Sequence, residues 1–444
     1  MSPFYVSEHK ALSDSGILRR TGWPAAGVIW AGLCIFAMAL GARPALGEQK
    51  PGDGASSCQV NVAALLPEGF VVDGSQSYML QLQQALDTAG ETGGTVVFPP
   101  MTYRLDNAAG LRIHSNTTLI MDGARFVFTE DLKEDGQAFR GDGVMNVRFE
   151  GGTVAGKRES WDPGTNIAGV RLYGQCRNIH IAHMRFEDLS SNGVGIFGTD
   201  AEHPVEEIWI RDVATRNCCN YYGDYLAQAA GPAKGSSRED QGNITLYHAA
   251  KWVVEGCDLD GSQSDGTHFY HAHRGRFVNN RVTRSQMGGY FLEGCSYVLA
   301  SDNLITENGS RGVTIERDST FCTLIGNVVE HSGREGLWAP DVAGIVVVNN
   351  IFRENGRKDD ADRDCEIRID DRDEYATQTR DIRVTENLFY ASGHQTAAVM
   401  ITENVRDCIV RGNSLRGAAE GEPVSIAESS RETCVVEGND TAAE

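Results

Sequence analysis

Gly289-Tyr290-Phe291-Leu292-Glu293 is followed 23 residues later by Gly312-Val313-Thr314-Ile315-Glu316. Each run leads through a polar turn and a short alternating strand to an asparagine and an apolar residue, Asn303-Leu304 and Asn327-Val328. The unit recurs from about residue 168 to the C-terminus, with turn asparagines at Asn280, Asn303, Asn327, Asn350, Asn387, Asn413 and Asn439. The steps between them are 23, 24, 23, 37, 26 and 26 residues, so one step carries an insertion. A period in this range, made of alternating strands and Asn/Gly turns, specifies a β-solenoid rather than helical repeats. Each coil then buries its inward side chains against its neighbours, and function falls to an outward face.

The coils align on their own residues. Gly169-Val-Arg-Leu-Tyr, Gly193-Val-Gly-Ile-Phe, Asn243-Ile-Thr-Leu-Tyr and Gly266-Thr-His-Phe-Tyr stack above the two runs already quoted, and Gly336-Leu-Trp-Ala-Pro stacks below. The second and fourth positions point inward, the third and fifth outward. Ile244, Phe269, Leu292, Val313 and Ile315 are therefore expected in the core. Asparagines stacked at the turn can hydrogen-bond from coil to coil, so their role is structural. Cys257 takes the same turn position one coil earlier.

Toward the N-terminus the pattern changes. Asp73-Gly74-Ser75 precedes an amphipathic run from Tyr78 to Ala89, with Met79, Leu80, Leu82, Ala85 and Leu86 apolar. Gly93-Gly94-Thr95-Val96-Val97-Phe98-Pro99-Pro100 and Tyr103 follow. This helix, Gly-Gly turn and strand ending in Pro-Pro resembles the start of the pectate-lyase-like right-handed parallel β-helix proteins, including their epimerase-like branch. The resemblance implies an all-β fold over residues 69–444, a single-stranded right-handed parallel β-helix with an N-terminal capping helix. A cap is also expected physically, because an open first coil would expose an apolar end. The superfamily includes lyases, epimerases, hydrolases and non-catalytic surface proteins. Neither the Asp-Pro-His motif of alginate epimerases nor the Gly-His-Gly motif of polygalacturonases occurs in this sequence.

Arg19-Arg20, the apolar stretch Gly22 to Leu40 and Ala45-Leu46-Gly47 read as an export signal over residues 1–47, with a linker over 48–68. The chain is expected to be secreted or periplasmic, with no membrane attachment once the signal is cleaved. Its formal charge is −21, and loss of residues 1–47 would make it −23. That disfavours nucleic acid and anionic membranes as partners but leaves room for a polyanionic substrate at a local cationic patch. Ten cysteines follow the signal without a CxxC pair. Several fall in or beside repeat strands, as small buried apolar residues do, although export permits bridges. Two stretches break the rhythm, a Tyr-rich loop at 215–241 and a highly charged one at 354–380.

The outward columns carry the chemistry. The fifth positions read Tyr247, Tyr270, Glu293 and Glu316 over four consecutive coils, and the third positions include His268, Phe291 and Trp338. The next turn position holds His248, His271 and Arg317, and Lys251, His273 and Arg274 lie just beyond. Outward solenoid residues are polar anyway, but a row mixing Tyr, His, Glu and Arg is unusual for a merely solvated face. Two reactions fit. β-Elimination or C5-epimerisation of a uronate needs a base, an acid and a neutralising cation. Tyr270, His248 and His271 would supply the first two, and Arg317, Arg274 or Lys251 the last. Retaining glycoside hydrolysis would use Glu293 and Glu316, whose carboxyls one coil apart suit a spacing of about 5 Å. Tyr247, Lys251, His268, Arg274, Phe291 and Trp338 are expected to bind a polysaccharide. A non-catalytic carbohydrate-binding solenoid is the third reading. No cofactor is required. Asp258, Asp260 and Asp265 offer clustered oxygen ligands of the kind calcium takes, without EF-hand spacing, in what is also an ordinary turn composition.

Overall fold

Successive coils stack in parallel and in the register read from their glycines. Val170 pairs with Val194, Val194 with Ile244, Leu246 with Phe269, Phe269 with Leu292, Leu292 with Ile315 and Val313 with Leu337. The computed structural model describes residues 58–162, 164–220, 238–358, 364–393, 395–417 and 422–441. Among them, thirteen strands from Asp73–Ser77 to Ser414–Arg416 stack as one sheet, and twenty-five form another that turns a corner. The strand Ile244–Glu255 runs through that corner, pairing with one neighbour before it and another after it. Ile244, Phe269, Leu292, Val313 and Ile315 are buried, as the alternation requires.

The asparagine ladder is continuous. From Asn280 to Asn439 each Nδ2 donates to the Oδ1 of the next asparagine at 2.8–3.1 Å. Each of these Nδ2 groups also reaches a backbone carbonyl, as Asn327 reaches that of Ala300 at 3.0 Å. Cys257 heads the stack through its backbone N–H, which donates to Asn280 Oδ1. A second polar stack was not read from the sequence. Ser285 N–H donates to Asn308 Oδ1 and Ser332 N–H to Asn355 Oδ1. It ends at Glu366, a fully buried carboxyl that accepts from Asn355 and Gln395.

Helix α1, Met79–Thr92, packs on the first coils through Leu82, Ala85, Leu86 and Ala89 and stops at Gly93 with φ 76°. Leu80, expected on its apolar face, is exposed. The expected export segment 1–47 and residues 48–57 of the expected linker lie outside the described residues. The linker reading gives way at Cys58, because Cys58–Asn61 pairs in parallel with Gly94–Val97 and Val62 is buried behind it. Its partner is a strand more than thirty residues later, which local composition does not reveal. Among the described residues no helix is long and apolar enough to cross a membrane. The described cysteines are free thiols, and all but Cys58 and Cys434 are buried.

Candidate active site

The expected row is present: Tyr247 pairs in register with Tyr270, Tyr270 with Glu293 and Glu293 with Glu316. Tyr247 and Tyr270 are half-buried, but the two carboxylates, and His268 of the neighbouring column, differ from expectation in being buried. His268 is 0% exposed, Glu293 4% and Glu316 6%. Ionisable groups tolerate such burial only when paired and hydrogen-bonded, and these are. Tyr247 Oη lies 3.0 Å from His268 Nδ1, and His268 Nε2 lies 3.1 Å from Glu293 Oε2. Arg317 donates to Glu293 Oε1 at 2.6 Å, and its Nε lies 3.1 Å from Glu316 Oε1. Five residues from four coils thus form one relay, Tyr247–His268–Glu293–Arg317–Glu316. Burial alone would lower the Arg317 pKa. The Glu316 and Glu293 carboxylates outweigh it and hold the guanidinium above its ordinary value.

Local geometry explains why these residues meet. Third and fifth positions share a face, so His268 lies diagonally between Tyr247 of the preceding coil and Glu293 of the next. Phe291 stacks on the His268 ring, with centroids 4.7 Å apart and planes 9° apart, and fixes its tilt. Arg317 sits at the corner with φ 56°, turned back over its own strand. Arg317 is therefore committed to two carboxylates, where the sequence reading had it facing a substrate.

His248 and His271 form a second group at the same corner. Their rings stack at 5.3 Å, and Tyr270 touches both, with centroids 5.5 Å and 4.3 Å away. Tyr270 also lies 4.9 Å from Tyr247, so it joins the histidine corner to the relay. A pocket of about 250 Å³ opens here, lined by His248, His271, His273, Arg274, Ser296 and Tyr297. Burial pushes His248 below the usual imidazole value, and His271 adds to the effect. His273 is lowered by burial and then by His271, His248 and Arg274. Gly294 completes the corner at φ 62°, and a Cβ there would stand 2.7 Å from His271 Cε1.

Other expected residues are not brought to the relay. Lys251 lies past the corner and pairs with Glu206 at 3.2 Å. Trp338 is two coils beyond Phe291. It is buried under Arg311, whose guanidinium carbon is 3.9 Å from the ring centroid, and it donates to Asp370. The acidic turn does not form a calcium cradle. Asp258 pairs with Arg281, Asp260 with Arg284, and Asp265 accepts from Gly288 N–H. Among the described residues no group of three or more His, Cys, Asp or Glu side chains is placed to hold a metal. Parts of the charged stretch 354–380 return to the coils. Thr377 N–H donates to Asp318, Arg372 N–H donates to Asp341, and the Tyr375 ring lies 5.7 Å from the Arg317 guanidinium. Most of the Tyr-rich loop, residues 221–237, lies outside the described residues.

Residues 242–364, which carry the whole relay, match the family described as "Right handed beta helix region". No curated protein sequence matches the chain. Among solved structures, the A-module of mannuronan C-5 epimerase AlgE4 from Azotobacter vinelandii matches with a TM-score of 0.66 at 15% identity. The match covers 85% of this chain and 100% of that one. PfbA, a surface adhesin of Streptococcus pneumoniae, matches with a TM-score of 0.57 at 11% identity, over 87% of this chain and 93% of that one. The tailspike of E. coli bacteriophage HK620, solved with a pentasaccharide, matches with a TM-score of 0.56 at 16% identity, over 87% and 66%. Identities this low speak for the fold alone. Coil register, family match and structural likeness together make this chain a right-handed parallel β-helix protein.

Proposed function

We propose that this chain is an exported polysaccharide-active enzyme that abstracts the C5 proton of a uronate, as a lyase or a C5-epimerase. The observation that carries this reading is the Tyr247–His268–Glu293 relay. Glu293 accepts from His268 Nε2–H, which leaves Nδ1 to take the phenolic proton of Tyr247. The phenolate then removes the proton at C5, and the C–H electron pair moves into the substrate carboxylate as an aci-carboxylate. Tyr270, 4.9 Å from Tyr247, supplies the proton that completes the reaction. It goes to the departing O4 in elimination, or to the opposite face of C5 in epimerisation. Arg317 keeps Glu293 ionised, so the imidazolium formed in the step is stabilised. The A-module with the similar fold is named a mannuronan C-5 epimerase, which suits this chemistry.

Retaining glycoside hydrolysis ranks second. Adjacent coils do place Glu293 beside Glu316, but both accept from Arg317, and Glu293 also accepts from His268. Neither carboxylate is presented as a nucleophile in this arrangement. A glycan panel separates the readings. Absorbance near 235 nm from C4–C5 unsaturation marks a lyase, solvent deuterium at C5 without cleavage an epimerase, and reducing ends alone a hydrolase. Reducing ends without unsaturation would overturn the proposal. So would an active His268→Ala variant.

A further inference from the structure

One position just past the corner has left-handed backbone in eleven successive coils. In chain order it is held by Asn116, Asn146, Asn178, Glu207, Lys251, Arg274, Tyr297, Phe321, Gly344, Asp381 and Asp407, with φ between 50° and 69°. The pairings either side fix this register. Glycine, asparagine and aspartate take such a conformation at least cost, and it is a true outlier for bulky side chains. Both ends of the column obey that preference, with Asn146 donating to Asn116 and Asn178 to Asn146. The five coils beside the relay break it, with Glu, Lys, Arg, Tyr and Phe. Bulky residues take the same backbone at another turn, with Arg284, Glu307, His331 and Glu354, so this column is marked by what its side chains present.

What those residues present is a track. Tyr297 and Phe321 are 59% and 56% exposed, and their rings stack at 5.2 Å with planes 16° apart. Arg274, one coil before Tyr297, is also exposed. The His248–His271–His273 pocket opens beside Arg274 and Tyr297, and the buried His248 Nδ1 has no hydrogen-bond partner. Flat exposed aromatic faces suit sugar rings, and arginine pairs with carboxylates. Lys251 already pairs with Glu206 and follows Glu207 in the column, so Arg274 is the cation here that favours an anionic ligand in a chain of net charge −21.

We propose that Arg274, Tyr297 and Phe321 form a binding track for an acidic polysaccharide, running across the coils beside the relay. Arg274 holds a uronate carboxylate, the two aromatic rings carry sugar faces, and the histidine pocket receives the sugar nearest Tyr270. The choice of ligand rests on the uronate reading of the relay, whereas the track itself rests on the exposed aromatic pair and Arg274 beside the pocket.

The test uses Tyr297→Asn/Phe321→Asn in the full chain, since asparagine is the residue the fold itself places at this position. Binding of oligogalacturonate, oligomannuronate and oligoglucuronate is measured by titration calorimetry, with a neutral oligoglucan of equal length as control. All proteins carry His268→Ala so that no substrate is consumed. The expected result is at least tenfold weaker binding of an oligouronate with an undiminished melting temperature, and a similar loss in Arg274→Asn. Equal affinity in the double variant overturns the track, as does preference for the neutral glycan or no binding in the parent. Conversion of an oligomer to a monomer by the double variant, with glycan affinity kept, would assign the aromatic pair to self-association instead. If the chain with His268 intact turns over no oligouronate while binding is retained, the relay chemistry fails and the track stands.

Discussion

The asparagine corner and the row from Tyr247 to Glu316 are built by the same geometry, one side chain per coil at about 4.8 Å. In the corner the side chain is the same in seven coils, and each amide bonds to the next. In the row it changes from tyrosine to glutamate, and contacts with the neighbouring columns link unlike groups, phenol to imidazole to carboxylate to guanidinium. Repetition satisfies buried polar groups with their own kind and needs no pKa to be tuned. Variation places an acid, a base and a counter-charge within reach of one another. A solenoid thus separates stability from chemistry by column rather than by domain.

That separation can be tested by exchanging effects between the columns. The largest effect should be on turnover in the row. Tyr247→Phe keeps the ring and removes the hydroxyl that faces His268, so turnover should fall by about 10²–10⁴-fold. Its denaturation midpoint should move little, and a large unfolding shift with normal turnover per folded molecule would merge the two columns. The corner should behave the opposite way. Asn327→Ala removes contacts to Asn303, Asn350 and the Ala300 carbonyl. It should cost about 3 kcal/mol in chemical denaturation with turnover per folded molecule unchanged.

Glu366 sharpens the comparison, because it is a titratable group at the end of a structural stack. Burial pushes its carboxyl up to about 7, against the lowering by Asn355 and Gln395. The folded chain keeps a proton there that the unfolded chain releases near 4.5. Its stabilising contribution is complete below that value and is lost as pH rises through 7. Glu366→Gln should flatten the fall of stability between these two values, measured as denaturant midpoints across pH. An unchanged slope would mean that the carboxyl is ionised in the folded state. The smallest effect belongs to Lys251, whose exposed pair with Glu206 should contribute under about 0.5 kcal/mol. A larger shift in melting on Lys251→Ala would place it in the stability column after all.

Much of the fold was legible because repetition multiplies a weak local signal. Gly289 to Glu293 alone would be any short strand, but seven aligned copies fix inward and outward faces, and the pairings follow them. The site was legible as a set of columns and less so as an arrangement. Fifth-position neighbours were readable, whereas the bond from Tyr247 to His268 joins a fifth position to a third on the next coil. Arg317 was read as a cation for substrate because its corner conformation, which turns it onto Glu293 and Glu316, has no sequence signature. Arg372 and Tyr375 were hidden for another reason. They lie in an insertion without the repeat, so nothing in its spacing says where it returns.

That insertion carries a consequence for how such a protein can change. The step from Asn350 to Asn387 is 37 residues, yet the Nδ2–Oδ1 bond across it is 3.0 Å, the same as between Asn387 and Asn413. The chain leaves the stack, visits the outer face and rejoins it with no trace in the ladder. Loop closure grows only slowly more costly with length. Segments over the site are therefore interchangeable parts, which can lengthen, shorten or be grafted while the coils beneath keep their register. A solenoid of this kind can acquire a new substrate by replacing its roof and leaving its walls untouched.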